Sequence, residues 1–563
     1  MTTSTSSCPP LGSAAATNIA GRLHEMAGEM PDALAIVEQH PLRRGRREYR
    51  RFTFRELDQD SDRIARGLRQ MGVRPGDRLV LMVRPSFDFI SLVFALFKAG
   101  AVAVLIDPGM GIRGVLRCLD EVAPAGFVAI PPVQAVRTLL RRRFAAVRQN
   151  VTVGARWFWG GPSLADFRKS SWAGHEMAGA SADDPAAIIF TSGSTGPAKG
   201  VLYRHGNFDR QVDEIRDFYQ IAPGEVDLPC FPLFALFNCA MGVTAVIPDM
   251  DATRPARVDP DTIIAAAADF KATQSFGSPA VWNRIGRHCE ANQVRLPTLR
   301  RVLSAGAPVP PRVMEWMMRA IADGGDMHTP YGATEALPVA SIAASEVLGE
   351  TAAQSAQGAG TCVGRKFPGI EWRVVRVDDG PIGSIDDAPS LQAGEVGELV
   401  VKGPVVTREY VTRVEGNPLA KIADGEAVWH RMGDLGYLDD QQRFWFCGRK
   451  AHRVDTAAGT MYSVPCEAIL NNHAEVYRSA LVGVGERGRQ RPVAIVEPEQ
   501  GHWPRGAAER NRLLAEVRRL AAENERTAAI DDFLLHRSLP VDIRHNAKIF
   551  REKLAVWAAP RVD

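Results

Sequence analysis

Residues 78–83 (RLVLMV), 87–99 (FDFISLVFALFKA) and 101–106 (AVAVLI) decide how this chain is built. The first and third runs are short, continuously apolar and rich in valine, leucine and isoleucine, as strands buried on both faces are. The middle run carries apolar residues at helical spacing and is closed by Gly100, with Pro75-Gly76-Asp77 marking a turn before the first strand. Strand, helix and strand joined by short connections make a parallel, doubly wound α/β unit.

The same texture extends outward. A helix is expected over 57–71 and a strand over 186–190. A helix over 262–270 precedes a strand over 272–276, and a further helix covers 311–322. From Ile370 the pattern turns β-rich, with alternating runs at 371–377 and 398–402 around a Gly/Asp/Pro-rich loop. After Gly448-Arg449 a smaller, more charged segment begins. The expected fold is α/β: a large N-terminal domain, 1–449, of doubly wound sheets plus a β-rich subdomain. A small mobile α+β C-terminal domain, 450–563, completes it.

Composition excludes several classes of function. With 563 residues, 45% hydrophobic and 24% charged, the chain reads as globular and too long for one core. A formal net charge of +3 and the lack of a basic nucleic-acid motif argue against nucleic acid as a partner. Eight scattered cysteines with no C-x-x-C pair argue against a zinc site and a disulfide framework, and fit a cytoplasmic protein. Residues 1–16 read as a floppy tail rather than a signal peptide. The most apolar stretch, 92–97, is cut short by Lys98, so no transmembrane segment is expected. The basic cluster Arg43-Arg44-Gly45-Arg46-Arg47 lies between strand-like runs at 33–37 and 49–54 and reads as a solvated hairpin turn.

The chemistry begins at Thr191-Ser192-Gly193-Ser194-Thr195-Gly196-Pro197-Ala198-Lys199-Gly200. Small residues let backbone N–H groups and hydroxyls converge on phosphate oxygens, and Lys199 adds a mobile positive charge. A Walker A loop would need Ser or Thr after the lysine, where this chain has Gly200. Four further elements follow: Ser304-Ala305-Gly306-Ala307-Pro308, Tyr331-Gly332-Ala333-Thr334-Glu335, Gly433-Asp434 with Gly448-Arg449, and Asn546-Ala547-Lys548 after Leu539-Pro540.

Together these elements resemble the acyl-adenylate-forming superfamily of acyl-CoA synthetases, luciferases and peptide-synthetase adenylation domains, from about Thr53 to Leu554. The resemblance implies ATP and Mg²⁺ as cofactors. It implies phosphate binding by the 191–200 loop, and adenine stacking on Tyr331 in a pocket lined by Gly306, Ala307, Pro308, Gly332 and Ala333. It further implies an α-phosphate contact from Thr334, Mg²⁺ on Glu335, and the ribose hydroxyls on Asp434 beside Arg449. Lys548 is the implied catalytic lysine, bridging substrate carboxylate and phosphate. It also implies that the C-terminal domain rotates between half-reactions.

Several positions depart from thiol-transferring relatives. Residues 454–459 (VDTAAG) replace the usual apolar-Lys-x-x-Gly, Ala451 occupies the hinge, Ala547 precedes the lysine, and Ala235 stands where many ligases carry histidine. A narrower resemblance, carried by residues 230–256 (CFPLFALFNCAMGVTAVIPDMDATRPA), PYGATEALP and RHNAKIFR, is to the β-lactone synthetases of bacterial long-chain olefin biosynthesis. It implies a 2-alkyl-3-hydroxy fatty acid, adenylated and then captured by its own hydroxyl. The alternative is a long-chain fatty-acyl-CoA ligase. Phe231, Phe234, Phe237 and Met241 are candidate substrate-pocket residues, and His205 is expected to be structural. The resemblance also suggests work alongside a reductase and a lactone decarboxylase, with a complex favoured by an insoluble product.

Overall fold

The computed structural model describes residues 17–43, 46–169, 172, 174–191, 196–231, 233–541 and 549–562. Ser192, Gly193, Ser194, Thr195 and Lys548 therefore lie outside the described residues, as do residues 1–16.

The stretch that opened the sequence reading folds as expected: strand Arg78–Met82, helix Phe87–Lys98 and strand Val102–Leu105. The two strands pair in parallel within a six-stranded sheet. It continues through Gly126–Ala129 and Gln149–Thr152 on one side, and Pro185–Phe190 and Gly200–Arg204 on the other. Only the last pair is antiparallel. A second, nine-stranded sheet has parallel strands in its middle, including Gln274–Gly277, Arg301–Ser304 and Asp326–Ala333. Its edges are antiparallel. One of those edges is the hairpin Leu34–Arg43 with Arg46–Thr53; Arg44 and Gly45 between them lie outside the described residues.

The β-rich part is an antiparallel sheet built on Glu371–Val375, Gly397–Lys402, Ala427–Leu438 and Phe444–Arg449. Beyond it come a hairpin, Val454–Thr456 with Gly459–Met461, and a three-stranded sheet with helices Ser463–Leu470, Ala507–Ala522 and Arg551–Ala558. This smaller α+β part docks back through ion pairs: Lys450 Nζ lies 3.0 Å from Glu398, and the guanidinium of Arg453 lies 2.6 Å from Asp379.

Lys98, which interrupts the apolar run 92–97, is fully buried, because Asp58 and Asp62 on helix Phe54–Gln70 reach its ammonium at 2.6 and 2.7 Å. No helix among the described residues is long and apolar enough to cross a membrane.

Candidate active site

A single cavity of about 2390 Å³ runs between the sheets and the C-terminal part. Its volume exceeds the roughly 300–1,000 Å³ of an ordinary small-ligand pocket. Thr191, Gly196, Lys199, Gly306, Ala307, Pro308, Tyr331, Gly332, Ala333, Thr334, Glu335, Asp434 and Arg449 all line it.

The 191–200 loop joins two antiparallel strands rather than a strand and a helix. Its ends are clamped: the N–H of Thr191 donates to the carbonyl of Lys199 at 3.0 Å, and the N–H of Lys199 to Oγ1 of Thr191 at 3.1 Å. Next to it, the N–H of Gly200 donates to Oγ1 of Thr412 at 2.8 Å, tying the loop to the segment that carries Tyr410. Asn417 holds that segment from behind, accepting the N–H of Tyr410 at 2.8 Å and donating to its carbonyl at 3.0 Å.

Tyr410 then links two predicted site residues. Its hydroxyl donates to Oε1 of Glu335 at 2.6 Å, and Nζ of Lys199 sits 4.5 Å from its ring centre, within cation–π range. Burial and the Glu335 carboxylate both raise the pKa of the Tyr410 hydroxyl, so it stays a donor. Lys421 approaches the other side and donates to the carbonyl of Thr407; burial brings its pKa down to about 7. Neither Tyr410, in the segment after strand Gly397–Lys402, nor Lys421, at the start of strand Lys421–Asp424, is singled out by a motif in the sequence.

Tyr331 to Glu335 occupy the end of strand Asp326–Ala333 and the turn into strand Ala336–Ala343. Gly332 is required here, since a Cβ would lie 2.6 Å from the carbonyl oxygen of Ala336. The hydroxyl of Tyr203 fixes the turn from below by donating to the carbonyl of Thr334 at 2.5 Å. Gly306, at φ +98°, turns its loop into the cavity after strand Arg301–Ser304.

Asp434 and Arg449 face each other across neighbouring strands, with the guanidinium 3.0 Å from Oδ1 of the carboxylate. The hydroxyl of Tyr331 donates to Oδ2 of the same carboxylate. Asp434 is 3% exposed, so this is a buried charge held by an opposite charge and a hydroxyl. Tyr331, Asp434 and Arg449, drawn from two of the sequence elements, thus meet at one carboxylate. His430, two residues before Met432 on the same strand, directs Nδ1 to the carbonyl of Ala420 at 3.0 Å. A carbonyl only accepts, so Nδ1 carries the hydrogen; burial and Lys421 keep the ring neutral.

The cavity also takes in an apolar arm, lined by Phe89, Val93, Phe94 and Phe97 from helix Phe87–Lys98 and by Phe234 and Phe237. Phe231, 43% exposed, stands at its edge. Met241 does not line the cavity. Helix Phe234–Ala240 ends one residue earlier, and Met241 turns into the core, 3% exposed, its N–H bonded to the carbonyl of Phe237. His205 is structural: it is 1% exposed, Nδ1 accepts the N–H of Ile19 at 3.2 Å, and burial pushes its pKa down to about 4. The C-terminal part closes one side with Ser463, Val464 and Glu467, and with Ile549, Phe550 and Arg551. Glu467 is held by Arg551 at 2.6 Å.

Residues 23–411 match the family described as AMP-binding enzyme. The chain is 48% identical, over 96% of its length and 97% of the relative, to the olefin beta-lactone synthetase of Xanthomonas campestris pv. campestris. It is 46% identical, over 97% and 99%, to the olefin beta-lactone synthetase of Stenotrophomonas maltophilia. In fold it is similar to the ATP-bound crystal structure of MatB from Rhodopseudomonas palustris. That similarity has a TM-score of 0.78 at 19% identity and covers 98% of this chain and 100% of the other.

Proposed function

Because the chain belongs to the AMP-binding enzyme family and, within it, to the olefin beta-lactone synthetases, we propose that it activates a long-chain 2-alkyl-3-hydroxy acid with ATP. The acyl-adenylate then closes on the substrate's own hydroxyl, giving a β-lactone, AMP and pyrophosphate. The observation that carries this reading is the continuity of one cavity: the nucleotide-motif residues line one end, and an arm of phenylalanines leads away from them.

In the first step a carboxylate oxygen attacks the α-phosphorus, and the bond to pyrophosphate breaks with its electron pair leaving on pyrophosphate. Lys199 and Lys548 offset the repulsion between two approaching anions, Thr334 binds the α-phosphate, and Asp434 holds the ribose hydroxyls. Tyr331 stacks on adenine, and its bond to the Asp434 carboxylate supports a shared base and ribose site. Glu335 offers the hard carboxylate oxygen that suits Mg²⁺, which supplies charge neutralisation at the phosphates. In the second step the 3-hydroxyl oxygen attacks the acyl carbon, the bond to AMP breaks, and the hydroxyl proton is released with AMP. The attack is intramolecular, so the protein contributes orientation and dryness more than a second binding site. The aromatic arm supplies both.

The hinge at Gly448-Arg449, between a domain of residues 1–449 and a mobile one of 450–563, belongs to the same proposal. It is supported by the left-handed φ of Gly448, +138°. So do a cytoplasmic location and a handover complex with a reductase and a lactone decarboxylase.

The test is to incubate the purified chain with ATP, Mg²⁺ and a racemic 2-alkyl-3-hydroxy acid, with and without coenzyme A. Lactone and AMP are expected without the thiol. A product that forms only with coenzyme A would replace this reading by a fatty-acyl-CoA ligase.

A further inference from the structure

Behind the aromatic arm lies a polar cluster to which the reaction assigns no role. Lys98, last residue of helix Phe87–Lys98, donates to Oδ1 of Asp58 at 2.6 Å, to Oδ1 of Asp62 at 2.7 Å and to the carbonyl of Asp58 at 3.0 Å. The two carboxylates are 9% and 6% exposed, and the ammonium is not exposed at all. Two carboxylates against one ammonium leave a residual negative charge in a place nearly closed to water, where an uncompensated charge is costly.

Two imidazoles close on that charge from outside. His24, on helix Ala20–Glu29, brings Nδ1 to 2.9 Å from Oδ2 of Asp58. His175 brings Nδ1 to 3.4 Å from Oδ1 of Asp62. The rings stack with centres 3.9 Å apart, and one ligating atom from each of His24, Asp58 and His175 lies within 4.8 Å of the others.

We propose that His24, Asp58 and His175 form a binding site for a divalent transition-metal ion of the zinc class. Two imidazoles and one carboxylate are the donor set such an ion selects, and a hard ion such as Mg²⁺ does not. Three protein ligands leave a position open to water. The half-exposed imidazoles give the ion an entry path, while the carboxylate below them is pinned. Lys98 occupies Oδ1 of Asp58 and leaves Oδ2 on the imidazole side. Asp62 beside Nδ1 of His175 is the outer carboxylate that orients a ligating ring. Cysteine spacing speaks only to thiolate sites; here the ligands are imidazole and carboxylate. The ion joins helix Ala20–Glu29, which packs on helix Phe234–Ala240, to the helices that carry Asp58 and the aromatic wall. It is thus a staple behind the substrate arm and not part of the reacting centre.

The full chain, stripped with a chelator and dialysed, is titrated with Zn²⁺ by calorimetry and with Co²⁺ by visible absorption. One saturable site per chain is expected, with tetrahedral Co²⁺ bands and a Zn²⁺-dependent rise in Tm. His24→Ala and His175→Ala should each weaken Zn²⁺ binding by at least ~tenfold, and the double variant should lose the site and the Tm rise. His24→Gln with His175→Gln, which keeps hydrogen-bonding groups against Asp58 and Asp62, should behave the same. Pyrophosphate exchange in Mg²⁺ should be unchanged in all of them. No saturable site in the parent, or a site of equal affinity in both double variants, overturns the proposal.

Discussion

The hydroxyl of Tyr410 donates to Oε1 of Glu335 at 2.6 Å, while its ring lies 4.5 Å from the ammonium of Lys199. One side chain therefore sets the spacing between the carboxylate assigned to Mg²⁺ and the cation assigned to phosphate. Tyr410→Phe keeps the ring and removes the hydrogen bond, which to a charged group is worth ~1.5–3 kcal/mol. A roughly tenfold fall in the rate of ATP–pyrophosphate exchange is expected, with a higher Mg²⁺ concentration needed for half-maximal rate. Tyr410→Ala should fall further, because Lys199 also loses its support.

Asp434 collects Tyr331 and Arg449 on one buried carboxylate. Asp434→Asn keeps the shape and removes the charge. The KM for ATP should rise by roughly ten- to a hundredfold, since charge-assisted hydrogen bonds are about twice as strong as neutral ones. A thermal melt should also show destabilisation, because Arg449 is left without its counter-charge.

Lys548→Ala should abolish adenylate formation and spare ATP binding. Calorimetry with ATP reads the second, and pyrophosphate exchange with a 3-hydroxy acid reads the first. Exchange at the parent rate would remove Lys548 from the proposed chemistry.

His205 gives a pH dependence of stability with a defined sign. Burial lowers its folded pKa from 6.5 to about 4, so between those values the unfolded chain binds the extra proton. The contribution is complete above pH 6.5 and is lost as pH falls towards 4, about 3 kcal/mol in all. His205→Asn keeps an acceptor for the N–H of Ile19 and removes the titration. Denaturant melts across pH 4–6.5 should show a shallower loss in the variant.

Phe237→Trp narrows the apolar arm. Its effect should grow with alkyl length: little change in kcat/KM for short 3-hydroxy acids and a fall of ~10–200-fold for the longest, the scale of a methylene mismatch in a fitted pocket. Competition between two chain lengths in one reaction measures it directly.

The strands and helices around residues 78–106 were legible because buried parallel strands read as unbroken apolar runs and Gly100 marks the helix end. The 191–200 loop, the 331–335 turn and Asp434 with Arg449 stood out because each has unusual residue types in fixed order, and the structure brings the described ones to one cavity. Tyr410 was not legible: a lone tyrosine among valines and arginines matters through Glu335, 75 residues earlier, and through Lys199. The burial of Lys98 was not legible either, since the carboxylates that pair with it sit on another helix. Met241 failed for a local reason. The helix stops at Ala240, so the helical phase that points Phe234 and Phe237 into the cavity no longer applies one residue later.

The C-terminal part contributes Val464 and Phe550 to the wall of the cavity that Phe89, Phe94, Phe97, Phe234 and Phe237 also line. A two-chain lactone leaving such a chamber for water forfeits about 0.8 kcal/mol for each methylene it exposes. Ten methylenes already bring that loss to about 8 kcal/mol, the scale of a micromolar dissociation constant. Such a term holds the product back, and an apolar acceptor waiting at the mouth is expected to speed its release without touching the chemistry.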